Sequence, residues 1–235
     1  MNIQTFPSNQ VTETAKQFLQ TTISRAQKYP VLLMLSGGSS LKLLEHLDPQ
    51  MLNNKLTLTV LDERYSTDPK VNNWLQIEAT DFYQQAVSSG VTTIPTVPKH
   101  QESLETFAKR WEKDLRKWFK NNNKRTVVAT IGIGNDGHVA GISPFPKQEE
   151  RFLEFIFTSD WVKGYSGNLE PAERVTVTAK FMEDKIDHAI VFVSGEGKRE
   201  ALEKVLANEG MMAQTPARIL REMKDVSVFT DLENF

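Results

Sequence analysis

Cysteine is absent from the 235 residues, which excludes disulfides, thiol nucleophiles and Cys-ligated zinc and is compatible with a reducing compartment. No apolar run approaches the roughly 18 residues of a membrane span. The opening MNIQTFPSNQ has neither a basic start nor an apolar stretch, so no signal peptide is expected and the cytoplasm is the default location. The net charge of −2 rules out a global basic field for nucleic acid or an anionic membrane. An anionic ligand would have to be held by a few local groups. There are four histidines, and no pair has metal-ligand spacing, so no metal is expected. Nothing else in the chain calls for a cofactor.

What is present is ordinary globular material: 39% hydrophobic and 25% charged residues, which argues against disorder and for a buried core. No convincing linker, repeat or low-complexity segment interrupts residues 1–235, so a single domain is expected. Helical stripes run through Ala15, Phe18, Leu19, Thr22, Ile23 and Ala26, then Leu104, Phe107, Ala108, Trp111, Leu115 and Trp118, then Ala201, Leu202, Val205 and Leu206. Strand-like apolar runs lie between them at Val31–Leu35, Leu56–Leu61, Thr126–Ile131 and Ala189–Val193. Arg174–Thr178 and Val226–Phe229 alternate more strongly and read as two further strands, while residues 145–173 are the least regular stretch and are expected to contain long loops. Continuous apolar runs between helices predict an α/β fold, with a mainly parallel central sheet flanked by helices.

Four of these runs end in polar chemistry. They lead into Ser36-Gly37-Gly38-Ser39-Ser40, Asp62-Glu63-Arg64, Gly132-Ile133-Gly134-Asn135-Asp136-Gly137-His138, and Ser194-Gly195-Glu196-Gly197-Lys198. In an open parallel sheet the C-terminal strand ends share one edge, where ligands bind. Gly37, Gly38, Ser39 and Ser40 precede a helical pattern at Leu41–Leu47, an arrangement suited to phosphate on backbone N–H groups and hydroxyls. The plain alternative is a strand-to-helix turn with Ser39 or Ser40 as N-cap. It is not a Walker A loop, and the 132–137 glycines do not read as a dinucleotide fingerprint. Lys198 and Arg174 are candidate phosphate cations. Asp62 and Glu63 could pair with Arg64 and order its loop.

An imidazole can accept a proton from water near neutral pH, and a neighbouring carboxylate can orient it. His138, with Asp136 two residues away, fits that pairing, although Asp136 could equally cap the turn. His46, His100 and His188 read as helix, loop and strand-approach residues without comparable neighbours.

These segments, with Arg174-Val175-Thr176, the Gly-x-x-Lys at Lys198 and Thr215-Pro216-Ala217, occur in the order seen in 6-phosphogluconolactonases, and the chain resembles that family from residue 36 to about 217. It is also similar to the related glucosamine-6-phosphate deaminases. The resemblance implies a Rossmann-like three-layer fold, a phosphorylated sugar ligand and no metal. It implies His138 as general base beside Asp136, phosphate-side contacts from Gly37 to Ser40, Arg174 and Lys198, and Arg64 with Asp62 in the site. Hydrolysis of 6-phosphogluconolactone in the pentose phosphate pathway is the implied function; the sequence does not give the oligomeric state, and a monomer is favoured. Asp62-Glu63-Arg64 replaces the deaminases' Asp-Glu-Tyr, and Ser143 stands where they carry a proton-transferring glutamate. Both differences favour the lactonase. Ser39-Ser40-Leu41 and Gly141-Ile142-Ser143 depart from the lactonase pattern and touch the pocket wall. A deaminase or isomerase, or a non-catalytic sugar-phosphate sensor, are the alternatives; no Gly-x-Ser-x-Gly elbow supports a serine hydrolase.

Overall fold

The apolar runs assemble into a seven-stranded sheet in which every neighbouring pair is parallel. The computed structural model describes residues 1–45, 47–167 and 170–234; His46 therefore lies outside the described residues. The strands in chain order are β1 (Asn2–Thr5), β2 (Val31–Leu35), β3 (Leu56–Val60), β4 (Asp62–Arg64), β5 (Thr92–Thr93), β6 (Thr126–Gly132), β7 (Val162–Ser166), β8 (Glu173–Val177), β9 (His188–Val193) and β10 (Val226–Thr230). The main sheet has the order β1-β10-β9-β6-β2-β3-β5, and β4-β8-β7 form a small antiparallel sheet beside it.

The helices are α1 (Val11–Ala26), α2 (Asn73–Glu78), α3 (Asp81–Ser88), α4 (Leu104–Asn121), α5 (Glu149–Leu153), α6 (Ala179–Lys185) and α7 (Arg199–Leu206). Each of the three expected stripes is helical. Phe107, Ala108, Trp111, Leu115 and Phe119 form the buried face of α4, while Trp118 is only partly covered. This helix lies against β7 and β8, whereas α1 lies against β9 and β10. Every residue of β2 and β3 is buried, as a sheet covered on both faces requires. Burying each such aliphatic side chain contributes about 1.5–3 kcal/mol.

One expectation needs correction. The Leu41–Leu47 pattern is not an α-helix: Gly38–Leu44 is a 3₁₀ helix whose N-cap is Gly37, with no side-chain capping bond. Ser40 Oγ donates back to the carbonyls of Ser36 (3.1 Å) and Gly37 (2.9 Å), a local bond that competes with α-helical hydrogen bonding. Residues 145–173 contain α5 and β7 between irregular segments. β7 reads VKGYS, and its central glycine and lysine hide the strand signal. Arg174 lies inside β8, within the strand expected at Arg174–Thr178, and β8 pairs in the small antiparallel sheet.

Strand order explains where a ligand can sit. From β2 the chain proceeds through β3 and β5 in one direction; from β6 it proceeds through β9 and β10 in the other. The reversal falls between β2 and β6, the switch point at which parallel sheets leave a crevice beyond their strand ends.

Candidate active site

A cavity of about 290 Å³ opens at that switch point. Its walls are Ser36, Gly37, Gly38 and Ser39 after β2, Asp62 and Arg64 on β4, residues 132–135 with His138 and Ala140 after β6, Arg174 on β8, and Lys198. Four segments that the sequence pointed to separately therefore converge. Ser40 and Asp136 do not line the cavity. Ser40 is buried with its hydroxyl turned into the loop, and Asp136 stands behind His138.

The turn after β6 makes the His138–Asp136 unit. Asp136 Oδ1 accepts from the His138 backbone N–H at 3.1 Å and lies 2.6 Å from His138 Nδ1. Burial pushes the Asp136 carboxyl up, but the hydrogen bonds and charge of His138 outweigh it, and the net shift is downward. An ionised Asp136 fixes the proton on Nδ1, which leaves the lone pair on Nε2. Gly134 makes room for this pairing: a Cβ there would fall 1.9 Å from His138 Nδ1 and 2.5 Å from Asp136 Oδ1.

Across the cavity, β4 and β8 set two arginines opposite each other, since Arg64 and Arg174 are register partners. Like charges so placed repel. The Asp62 carboxylate relieves this, with Oδ2 3.9 Å from Arg64 Nε and 3.8 Å from Arg174 Nη1. Arg174 is buried and donates to the carbonyls of Pro171 (3.1 Å) and Glu170 (3.2 Å). Burial pushes its guanidinium below the usual value, with Asp62 opposing and Arg64 adding to that shift. Asp62 is thus occupied by the two cations, and Asn73 Nδ2 donates to its carbonyl oxygen at 3.0 Å.

Lys198 stands at the head of α7 as its N-cap residue, as the Gly-x-Gly turn before it suggested. It closes a 3₁₀ turn (Glu196–Lys198) just before α7, and its Nζ donates to the Ile133 carbonyl at 2.6 Å. Burial lowers its pKa, while Asp136 acts in the opposite direction. The Gly37–Ser40 loop enters only a 3₁₀ helix, so no long α-helical macrodipole stands behind it. Glu63 does not pair with the Arg64 guanidinium. Its oxygens accept the backbone N–H groups of Arg64, Asn73 and Trp74 and the Thr96 hydroxyl, tying β4 to the start of α2.

Ser36, Asn135 and Ala140 line the cavity without having been singled out from the sequence, although all three lie in or beside the quoted strand-end strings. Ser36 Oγ, Arg64 Nε and Asn73 Oδ1 are buried without a protein hydrogen-bond partner; the fourth such side-chain atom among the described residues is Trp111 Nε1. Buried polar atoms are normally satisfied. Three orphans beside one cavity mark it as a polar-ligand site. Among the described residues no group of His, Asp or Glu is arranged to hold a metal ion, and no helix is long and apolar enough to cross a membrane.

The glucosamine-6-phosphate isomerase/6-phosphogluconolactonase family model matches residues 7–229, nearly the whole chain. The chain belongs to this family. A 6-phosphogluconolactonase of Helicobacter pylori is 26% identical over 221 residues, spanning 91% of this chain and 88% of that protein. A probable 6-phosphogluconolactonase of Dictyostelium discoideum is 23% identical over 205 residues, spanning 83% and 81%. In three dimensions, the crystal structure of a 6-phosphogluconolactonase from Shewanella baltica superposes with a TM-score of 0.75 at 19% identity, covering 98% of this chain and 96% of that one. The family fold is thus present from end to end, with the parallel sheet and flanking helices that the sequence led us to expect.

Proposed function

We propose that this chain hydrolyses 6-phosphogluconolactone to 6-phosphogluconate, with His138 as general base. The observation that carries the reading is the Asp136–His138 pair at 2.6 Å, beside a cavity also lined by Arg64, Arg174 and Lys198. A phosphorylated sugar lactone needs both halves of that arrangement: cations for its phosphate, and a base for the water that attacks its carbonyl. The named activity of the relatives is the same.

The phosphate docks against the Gly37–Ser39 backbone, Arg174 and Lys198, where charge-assisted bonds hold one orientation. His138 Nε2 takes a proton from water as the water oxygen bonds to the lactone carbonyl carbon. Negative charge develops on the carbonyl oxygen, and Arg64, whose Nε has no protein hydrogen-bond partner, stabilises it. The tetrahedral centre then collapses by breaking its bond to the ring oxygen. The His138 imidazolium returns its proton to that oxygen as it leaves, giving the open-chain acid, which releases a proton to solvent. Asp136 keeps Nδ1 protonated throughout and stabilises the imidazolium.

Ser143 favours hydrolysis over the deaminase alternative. It is buried, bonded to Tyr165 and absent from the cavity wall, so no carboxylate stands there to carry a ring-opening proton. The test is acid release from freshly generated 6-phosphogluconolactone, measured above spontaneous hydrolysis, beside ammonia release from glucosamine 6-phosphate. Acceleration of the first alone supports the proposal; ammonia release, or no acceleration by folded protein, overturns it.

A further inference from the structure

Ala140 sits in the cavity wall with φ of 48°, a left-handed conformation that a residue with a Cβ adopts rarely. Such a residue persists only where its surroundings over-determine it. On its N-terminal side, the His138 carbonyl accepts from the Gly134 N–H at 2.9 Å. On its C-terminal side, the Gly141 N–H donates to Thr176 Oγ1 at 3.0 Å, and the Tyr165 hydroxyl donates to the Gly141 carbonyl at 2.5 Å. The same hydroxyl accepts from the Ser143 N–H at 2.9 Å and lies 2.9 Å from Ser143 Oγ. One phenol oxygen thus bonds to both ends of the 141–143 segment. Burial pushes the phenol above its ordinary pKa, so it keeps the proton it donates.

Tyr165 is not an isolated anchor. It is the register partner of Arg174, which is itself the partner of Arg64, so Tyr165, Arg174 and Arg64 form one row across the small sheet. Its ring is wedged against Phe145 and Phe155, with centroids 5.9 and 5.1 Å away. The segment it holds is pressed onto the same sheet, since a Cβ on Gly141 would fall 2.8 Å from Thr176 Cβ and 3.1 Å from Asp62 Cβ. The His138 turn on the main sheet and the arginine pair on the small sheet are therefore joined through residues 139–143.

We propose that Tyr165 is a positioning residue, whose hydroxyl fixes the His138 turn at its working distance from the Arg64–Arg174 pair. A displacement of about 1 Å in a reacting group can lower a rate by about 100-fold. Substrate binding, which rests on the phosphate cations, changes less. This inference rests on the lactonase reading for its kinetic test, but its structural test does not.

Tyr165→Phe keeps the wedged ring and removes only the hydroxyl. The expected result is a kcat lowered at least tenfold with KM within about threefold of the unaltered enzyme. The four histidines also permit a direct readout by NMR. The His138 ring signals should shift in Tyr165→Phe, while those of His188, paired to Asp225 at 2.7 Å where β9 begins, stay in place. Thr176→Val, which removes the second anchor of Gly141, should reproduce both effects, and Thr176→Ser should restore them. This pair carries the test if Tyr165→Phe does not fold. A kcat within twofold in folded Tyr165→Phe, or unmoved His138 signals beside a merely lowered melting temperature, overturns the proposal. If the unaltered protein does not hydrolyse the lactone, the functional reading fails, and the His138 signals alone still decide whether Tyr165 positions that ring.

Discussion

Replacing Gly134 by alanine inserts one methyl group between the two members of the proposed catalytic pair. The new Cβ would lie 1.9 Å from His138 Nδ1, 2.2 Å from its Cε1 and 2.5 Å from Asp136 Oδ1. Non-bonded carbon contacts settle at about 3.5–4.0 Å, so the ring must retreat by roughly 1.5–2 Å or rotate away. Either movement breaks the 2.6 Å Nδ1–Oδ1 bond and leaves Nε2 misplaced. A general base contributes about 10²–10⁴-fold, and misplacement by about 1 Å can remove about 10² of it. The expected kcat for lactone hydrolysis is therefore lower by about 100-fold or more. His138 and Asp136 are partly exposed, at 30% and 39% of their side-chain surface, so the displaced ring can move into solvent and the fold should tolerate the change. The assay is initial-rate acid release, with the melting temperature measured alongside. A Gly134→Ala enzyme that retains more than half its kcat would refute the claim that this contact sets the geometry of the base.

Three further outcomes follow from the same geometry. Asp136→Asn can present an N–H to His138 Nδ1 and so favour the tautomer without a lone pair on Nδ1's partner nitrogen; kcat should fall by about 10²–10⁴-fold with KM little altered, and an unchanged rate would reduce Asp136 to a turn cap. Arg174→Lys keeps a charge but loses the fork, so KM should rise about tenfold or more while kcat changes little, and an unchanged KM would argue against a phosphate contact. Burial pushes Glu63 up to about 8, against the backbone bonds from Trp74 and Asn73 and the hydroxyl bond from Thr96 that favour its charge. Its native-state affinity for a proton then exceeds that of the unfolded chain. That contribution to stability is full below the unfolded carboxylate range and is lost as pH rises towards 8. The unaltered protein's advantage over Glu63→Gln in chemical denaturation should therefore shrink between about pH 5 and 8; an advantage that is flat across that range contradicts the assignment.

Much of this was legible in the chain because apolar runs and glycine-rich strings carry strong local signals. Val31–Leu35 is buried throughout, and a continuous apolar run is how a strand covered on both faces reads in sequence. Asp62-Glu63-Arg64 was visible as chemistry but not as a strand. Such charged residues have low strand propensity, and β4 exists only because β8 pairs with it. The same pairing placed Arg64 opposite Arg174, a juxtaposition across more than a hundred residues that no local pattern encodes. Ser39 and Ser40 illustrate a subtler gap. They are adjacent in sequence, yet Ser39 lines the cavity and Ser40 turns its hydroxyl into the loop, because the 3₁₀ turn points neighbouring side chains in different directions. Tyr165 was hidden for a further reason, since it lies in a glycine-containing strand where no periodicity announced an element.

The central claim, that His138 is the base of a lactone hydrolase, is tested most directly by His138→Ala assayed on freshly generated 6-phosphogluconolactone. A folded variant whose kcat is about 10²–10⁴-fold lower, beside an active unaltered enzyme, is the result this mechanism requires. A folded variant that hydrolyses the lactone at the unaltered rate would contradict it.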